Sequence, residues 1–322
     1  MMIKKGEKMK NKRIVITGGH GFLGKYVVKE FLNRGYKKIE VPSHEEYNLT
    51  SGEDVFSMFA DYDPKIVIHL AANCGGIGYN KENSAELFYD NAIMGIQMIH
   101  TAMQFLVEKF VQIGTVCSYP KFPNTIPFEE KSLWVGYPEE TNAPYGLAKK
   151  MLLTQIQAYN KQYKHFNGIY IIPTNLYGPG DDFNPKSSHV IPALIKKFVE
   201  AKERGDKEVT IWGSGFATRE FLYVEDAAKA IVLATEQYNK SDPINIGTEL
   251  DISIMSLASL IKELIGFNGS ILVNNMKPDG QPRRILDTSK ALKEFNFKAE
   301  VQLEDGLKKT IEYYYSVYGS KK

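Results

Sequence analysis

Residues 13–24, RIVITGGHGFLG, constrain what this chain can fold into more than any other stretch. Arg13-Ile14-Val15-Ile16-Thr17 is a short, nearly continuous β-branched run, the pattern of a strand buried on both faces. It runs into Gly18, Gly19, Gly21 and Gly24, and Phe22, Leu23, Tyr26, Val27, Phe31 and Leu32 then recur at helical spacing. A strand, a glycine turn and a helix in that order make an anion site. The first N–H groups of the helix and its positive dipole end face the turn, and glycine lets the backbone approach a pyrophosphate. The spacing Gly18-x-x-Gly21-x-x-Gly24 departs from the common G-x-G-x-x-G fingerprint, so the glycines alone do not separate a dinucleotide site from an ordinary turn.

The following pattern extends the motif. Residues 38–41 read as a second strand, Gly52–Tyr62 as a helix and 65–70 as a third strand, giving βαβαβ and hence a parallel sheet. The expected class is α/β: a Rossmann-type doubly wound parallel sheet with a smaller C-terminal α+β lobe for substrate. Residues 1–12 are read as a flexible tail, 13–174 as the dinucleotide-binding domain, and 175–322 as mainly the second lobe, with some segments returning to the first. With 322 residues, 43% hydrophobic and 24% charged, the chain has room for both. A net charge of +2 argues against a nucleic-acid partner, and no apolar run approaches the length of a membrane span. Cys74 and Cys117, the two cysteines, lie far apart and suit a reducing cytoplasm. No metal site is read.

Candidate site residues fall at strand ends. The second strand leads into Val41-Pro42-Ser43-His44-Glu45, with neither a carboxylate directly at its tip nor an arginine. This tip normally separates the two nicotinamide dinucleotides, and here it favours NADP, with Ser43 and His44 as contacts. Ala71 and Ala72 end the third strand with small residues, which lets a cofactor lie close. The fourth strand, 110–113, delivers Thr115 and Cys117 to the C-terminal edge of the sheet, where open α/β sheets bind ligands. Tyr145 and Lys149 stand one turn apart on the next helix. Such a pair is common on helix surfaces. Behind a dinucleotide turn and a threonine, it reads as a proton donor whose phenolate is favoured by a neighbouring ammonium.

Together these residues carry a resemblance. The turn Gly18–Gly24 with Thr115, Tyr145 and Lys149 resembles the extended short-chain dehydrogenase/reductase superfamily. More narrowly, several segments resemble the GDP-L-fucose synthase family: 117–121 CSYPK, 173–179 PTNLYGP, 188–193 SHVIPA, 212–215 WGSG, 219–221 REF and 277–280 KPDG. The resemblance implies NADPH as cofactor and a GDP-4-keto sugar as substrate, reduced at C4 after epimerisation at C3 and C5. It assigns Cys117 and His189 to the inversion, Tyr145 to the O4 proton, Lys149 to Tyr145 and the cofactor ribose, and Thr115 to O4. It places Gly18, Gly21, Phe22, Leu23, Gly24, Pro173, Asn175, Leu176 and His189 with the cofactor. Asn175, Val190, Lys197, Trp212, Arg219, Lys277 and Asp279 go with the nucleotide sugar.

Read from the residues alone, His189 is a lone histidine at the start of a helix over 190–203, more often a cap or a packed side chain than a catalyst. Three departures from the family pattern bear on the sugar: Thr115 replaces the usual serine, Lys197 a common arginine, and the loop 74–80 adds Cys74 and Tyr79. The alternative is a reductase acting only at C4 of a GDP-4-keto heptose, in surface polysaccharide synthesis. A 4,6-dehydratase would require an acid and a base just after Thr115, where Val116-Cys117 has no carboxylate. A non-catalytic dinucleotide sensor would not need Tyr145 and Lys149. Apolar residues beyond one face of Ser84–Gln104 and of residues 145–163, namely Ile93, Met94, Met98, Met103, Leu152 and Leu153, lead to the expectation of a four-helix homodimer.

Overall fold

The computed structural model describes residues 9–277 and 279–319. Ile14–Thr17 (β1) is buried at every position, and its alternation splits the side chains between two cores: Ile14 and Ile16 enter one apolar cluster, Val15 the opposite one. There follow Phe22–Asn33 (α1), Ile39–Glu40 (β2), Gly52–Tyr62 (α2), Ile66–His69 (β3), Ile77–Glu82 (α3), Ser84–Gln104 (α4), Lys109–Ile113 (β4), Ala143–Gln162 (α5) and Gly168–Pro173 (β5). These strands stand in the order β2-β1-β3-β4-β5, every pairing parallel. The chain leaves β1 for β2 on one side and returns to β3 on the other, so a crevice opens between the C-terminal ends of Thr17 and His69. Serine starts α2 cleanly: the Ser51 side chain accepts from the N–H of Asp54.

The remainder runs Asn175–Tyr177 (β6), Val190–Arg204 (α6), Glu208–Trp212 (β7), Thr218–Tyr223 (β8), Val224–Gln237 (α7), Ile244–Ile246 (β9), Asp251–Ser253 (β10), Ile254–Ile265 (α8), Ser270–Asn274 (β11), Arg283–Arg284 (β12), Ser289–Phe295 (α9) and Leu303–Tyr318 (α10). β9 rejoins the first sheet beside β5, and α7 packs Ala227, Ala228 and Ile231 into the cluster that holds Val27 and Phe31 of α1. The second lobe has its own core, built by Ile195 and Phe198 of α6, Leu257 and Ile261 of α8, and Leu307 of α10. β8 is its hub, pairing with β10, β12 and β6. The fully buried Glu220 locks that hub by accepting the backbone N–H groups of Thr248, Glu249 and Leu286. Its neighbours Arg219 and Phe221 are held in place as a result.

Three expectations change. Met9 packs against the α1 side of the first sheet and Lys12 pairs with Glu108, so residues 9–12 are docked; residues 1–8 lie outside the described residues. The loop after β3 contains the short helix α3, which the glycines of 75–78 conceal in the sequence. Met98, Leu152 and Leu153 are fully buried where α4 and α5 pack on each other and on the sheet, so these three belong to their own chain's core and are not the residues that could meet a second chain. Phe88, Tyr89 and Ile96 are the apolar residues of α4 that point outward. Among the described residues, no helix is long and apolar enough to cross a membrane.

Candidate active site

At the sheet's C-terminal edge, between the lobes, lies a cleft of about 1440 Å³. Its floor is the glycine turn. Gly18 has φ +71°, and a Cβ there would lie 2.7 Å from the backbone N of Ala71. A Cβ on Gly24 would lie 2.5 Å from Gly19 Cα and closer still to Gly18 O. Both positions therefore require glycine. Gly21 caps α1, whose first turn has no acidic residue, so its free N–H groups face the cleft without a competing carboxylate. Phe22, Leu23, Ser43, His44, Ala71, Ala72, Pro173, Asn175 and Leu176 line the same region.

At the β2 tip, Ser43 N–H donates to Glu46 (2.8 Å), which holds that carboxylate below its usual range, and His20 Nε2 lies 3.1 Å from Val41 O. Glu46 is thus tied back on its own turn, while Glu45 lines the cleft together with His20, Ser43 and His44. A cradle that excludes Cβ atoms, a helix N-terminus and a polar tip with imidazoles fit a phosphorylated dinucleotide.

Above the floor stand the candidate catalytic groups. β4 ends at Ile113, and the Thr115 side chain accepts the N–H of Cys117 (3.1 Å), closing a one-turn 3-10 helix that presents both side chains to the cleft. That turn rests on α5: Ser118 Oγ donates to Gly146 O (2.8 Å). One turn further along α5, Tyr170 OH donates to Lys149 O (2.8 Å). Tyr145 and Lys149 therefore face Thr115 and Cys117 across a rigid junction.

Electrostatics here depart from the sequence expectation. Burial pushes the Tyr145 phenol well above its ordinary range, with Cys74 and Cys117 adding and the Thr115 hydroxyl opposing. Burial also lowers Lys149 to about 8, Cys74 opposing. The cleft walls' cost for a phenolate outweighs the ammonium's attraction. Tyr145 is accordingly protonated at neutral pH and fit to donate.

From the other lobe, His189 opens onto the cleft as the residue preceding α6, and its side chain makes no capping bond. Burial lowers its imidazole, with Asp182 opposing and Arg284 adding. Val190 lines the wall beside it. Lys197 donates to Thr210 O (3.1 Å) and lies 5.7 Å from the Trp212 ring centroid; Lys277 lies 4.7 Å from it. Lys277 stands at the rim on that ring and not among the lining residues, and its neighbour Pro278 is outside the described residues. The Asp279 carboxylate is engaged by Ser214 N (2.7 Å) and Ser214 Oγ (2.9 Å), so it shapes the pocket loop. Arg219 donates to Asp279 O (2.9 Å), and burial lowers it to about 9.

Residues 73–80 form a strap along the cleft. Gly76 N–H donates to Ser187 O (2.8 Å), tying the two lobes together. Cys74 lines the cleft, whereas Tyr79 turns away to donate to Asn73 Oδ1 (3.1 Å). Asn80 donates to Asn142 Oδ1 (3.0 Å), and Asn142 donates to the buried Glu139 (2.6 Å), linking the strap to the start of α5. The sequence alone does not single out Arg284, buried beside Cys117, or Gln281, buried behind that arginine. Their one signal was nearness to the 277–280 segment, because nothing local distinguishes Arg284 from Arg283.

The profile of the NAD dependent epimerase/dehydratase family matches residues 14–247. GDP-L-fucose synthase 1 of Arabidopsis thaliana is 39% identical over 306 residues, 95% of this chain and 94% of its own. A crystal structure of a GDP-6-OMe-4-keto-L-xylo-heptose reductase from C. jejuni superposes with TM-score 0.88 at 29% identity, covering 95% of this chain and 98% of that one. That of a GDP-L-fucose synthetase from Naegleria fowleri bound to NADP gives TM-score 0.85 at 29% identity, covering 96% of each. This chain belongs to the NAD dependent epimerase/dehydratase family, and its relatives there include the GDP-L-fucose synthases.

Proposed function

We propose that this chain catalyses NADPH-dependent reduction at C4 of a GDP-4-keto sugar after inverting C3 and C5 of the same ring. The observation that carries the reading is the convergence of Thr115, Cys117, Tyr145, Lys149 and His189 on one cleft floored by the glycine cradle. The NADP bound in the Naegleria relative supports the choice of cofactor. When bound, NADPH supplies the hydride that C4 accepts.

The chain's own residues manage the protons. A ketone at C4 acidifies the hydrogens on C3 and C5, so a base can remove one and leave its electrons on O4 as an enolate. Cys117, as a thiolate, takes that proton, and His189 on the other lobe returns one to the opposite face of the ring. Tyr145 then protonates O4 while Thr115 donates a hydrogen bond to it, and the Lys149 ammonium stabilises the phenolate left behind. The Trp212 face receives the guanine, with Lys197 and Lys277 close to the same ring, and Arg219 receives the diphosphate.

The fold likeness to a heptose reductase favours a second reading, reduction at C4 alone. Enzyme incubated in deuterated water with an unepimerised GDP-4-keto sugar and NADPH separates the two. Deuterium at C3 and C5 of the product, lost in Cys117→Ser, is the expected result. Product without label leaves C4 reduction as the whole chemistry.

We also propose a homodimer in the cytoplasm, supplying a sugar for surface polysaccharide. The outward residues of α4, Phe88, Tyr89 and Ile96, are 44%, 61% and 39% exposed and offer an apolar stripe to a second copy. Sedimentation at micromolar concentration is expected to show a dimer, and Ile96→Glu a monomer. A wild-type monomer contradicts the assembly.

A further inference from the structure

Two consecutive arginines on β12 meet different fates. Arg283 is exposed and forms a two-pronged ion pair with Asp251, at 2.8 and 3.1 Å. Arg284 is 6% exposed, and among the described residues no carboxylate lies within ion-pair distance of it. A buried guanidinium without a counterion costs several kcal/mol, so the groups that do reach it carry information.

They are two. Arg284 Nε donates to Gln281 Oε1 (3.0 Å), and Nη1 donates to Cys117 Sγ (3.5 Å). Gln281 is itself 2% exposed, and its Nε2 donates to Pro120 O (2.8 Å) and Lys121 O (3.1 Å). Those two carbonyls fix which end of the amide faces Arg284, and the residues supplying them follow Cys117 closely in the chain. The guanidinium is thus clamped from behind by the segment that carries the thiol and aimed at the sulfur in front.

We propose that Arg284 is a positioning residue that holds the Cys117 sulfur as a reactive thiolate aimed at the sugar carbons. This deepens the reading of Cys117 as a proton acceptor and rests on it. An N–H donor on a cation binds a charged sulfur more strongly than a neutral one, so the buried guanidinium gains a counterion in the state the chemistry needs. The only bond broken is S–H: the thiol proton passes to water, the electron pair stays on the sulfur, and the guanidinium remains protonated throughout. The other groups acting on this pair are Arg219, a second cation beside both Arg284 and the sulfur, Tyr145 and Cys74 around the sulfur, and His189 facing Arg284.

The test is alkylation of the full chain by iodoacetamide across a pH series, with Cys117 and Cys74 followed separately by peptide mass. Arg284→Gln is expected to slow Cys117 alkylation at neutral pH by on the order of tenfold and move its profile to higher pH. Arg284→Lys recovers much of the rate, and Gln281→Leu, which removes the clamp but keeps the arginine, gives a smaller loss. Deuterium uptake at C3 and C5 falls in parallel and by more than C4 reduction does. An Arg284→Gln profile identical to wild type, with a raised KM for the nucleotide sugar, overturns the proposal and makes Arg284 a diphosphate ligand. NADPH binding checks that Arg284→Gln is folded; if it is not, Gln281→Leu decides, and an unchanged profile there overturns the proposal. Should wild-type enzyme incorporate no deuterium, the epimerase reading fails while the alkylation series still decides the role of Arg284.

Discussion

Replacing Tyr145 with Phe lowers the rate of reduction by on the order of two or more powers of ten, because the ring and its packing remain while the proton for O4 is lost. Burial keeps the Tyr145 phenol protonated at every working pH, so the loss is not masked by a second ionisation state. The buried Lys149 instead sets the pH dependence. Its ammonium, lowered to about 8, is charged below that value and neutral above it. Since the charge stabilises the phenolate that forms as the proton leaves, reduction is expected to be flat at lower pH and to decline as pH rises through about 8. Lys149→Arg, always charged, moves that decline upward if its longer, forked side chain is tolerated. Single-turnover oxidation of NADPH reads both effects. A Phe variant with near wild-type turnover eliminates Tyr145 as the donor.

Gly24→Ala is expected to abolish cofactor binding at concentrations that saturate the wild type. The added Cβ would sit 2.5 Å from Gly19 Cα, and closer to Gly18 O, so the atoms that must move are backbone. No flexible side chain is available to yield. Overpacking of about 2–3 kcal/mol or more opens the turn, and it removes the N–H geometry that a pyrophosphate requires, for a loss in NADPH affinity of roughly a hundredfold. Fluorescence titration with NADPH gives the affinity and thermal melting the accompanying loss of stability. Binding within a few-fold of wild type contradicts the tight turn.

Much of the fold was legible because its signals are local. β1, β3 and β5 are buried on both faces and read as nearly continuous apolar runs, whereas β4, buried throughout as well, carries Lys109 and Gln112 within it. The i,i+4 spacing of Tyr145 and Lys149 needs only a helix to become a pair. β10 and β12 left no such trace, since two or three residues have no period and gain their pairing from β8, more than 30 residues away in the chain. The apolar residues of α4 and α5 misled in a related way. Composition shows that Met98 and Leu152 are hydrophobic, and only the packing of the two helices shows that each is already covered within its own chain.

The sequence by itself determined the parallel α/β class, the anion-binding turn and the types of residue available for proton transfer. Period, glycine placement and side-chain chemistry are properties of short stretches. Tertiary structure alone decided which charges are paired and which are isolated. Glu46 is bound back by its own turn, Asp279 is taken by Ser214, and Arg284 is left facing a sulfur 167 residues away. Burial and partnership set the energy of an ionised group, and both depend on what the fold brings alongside it.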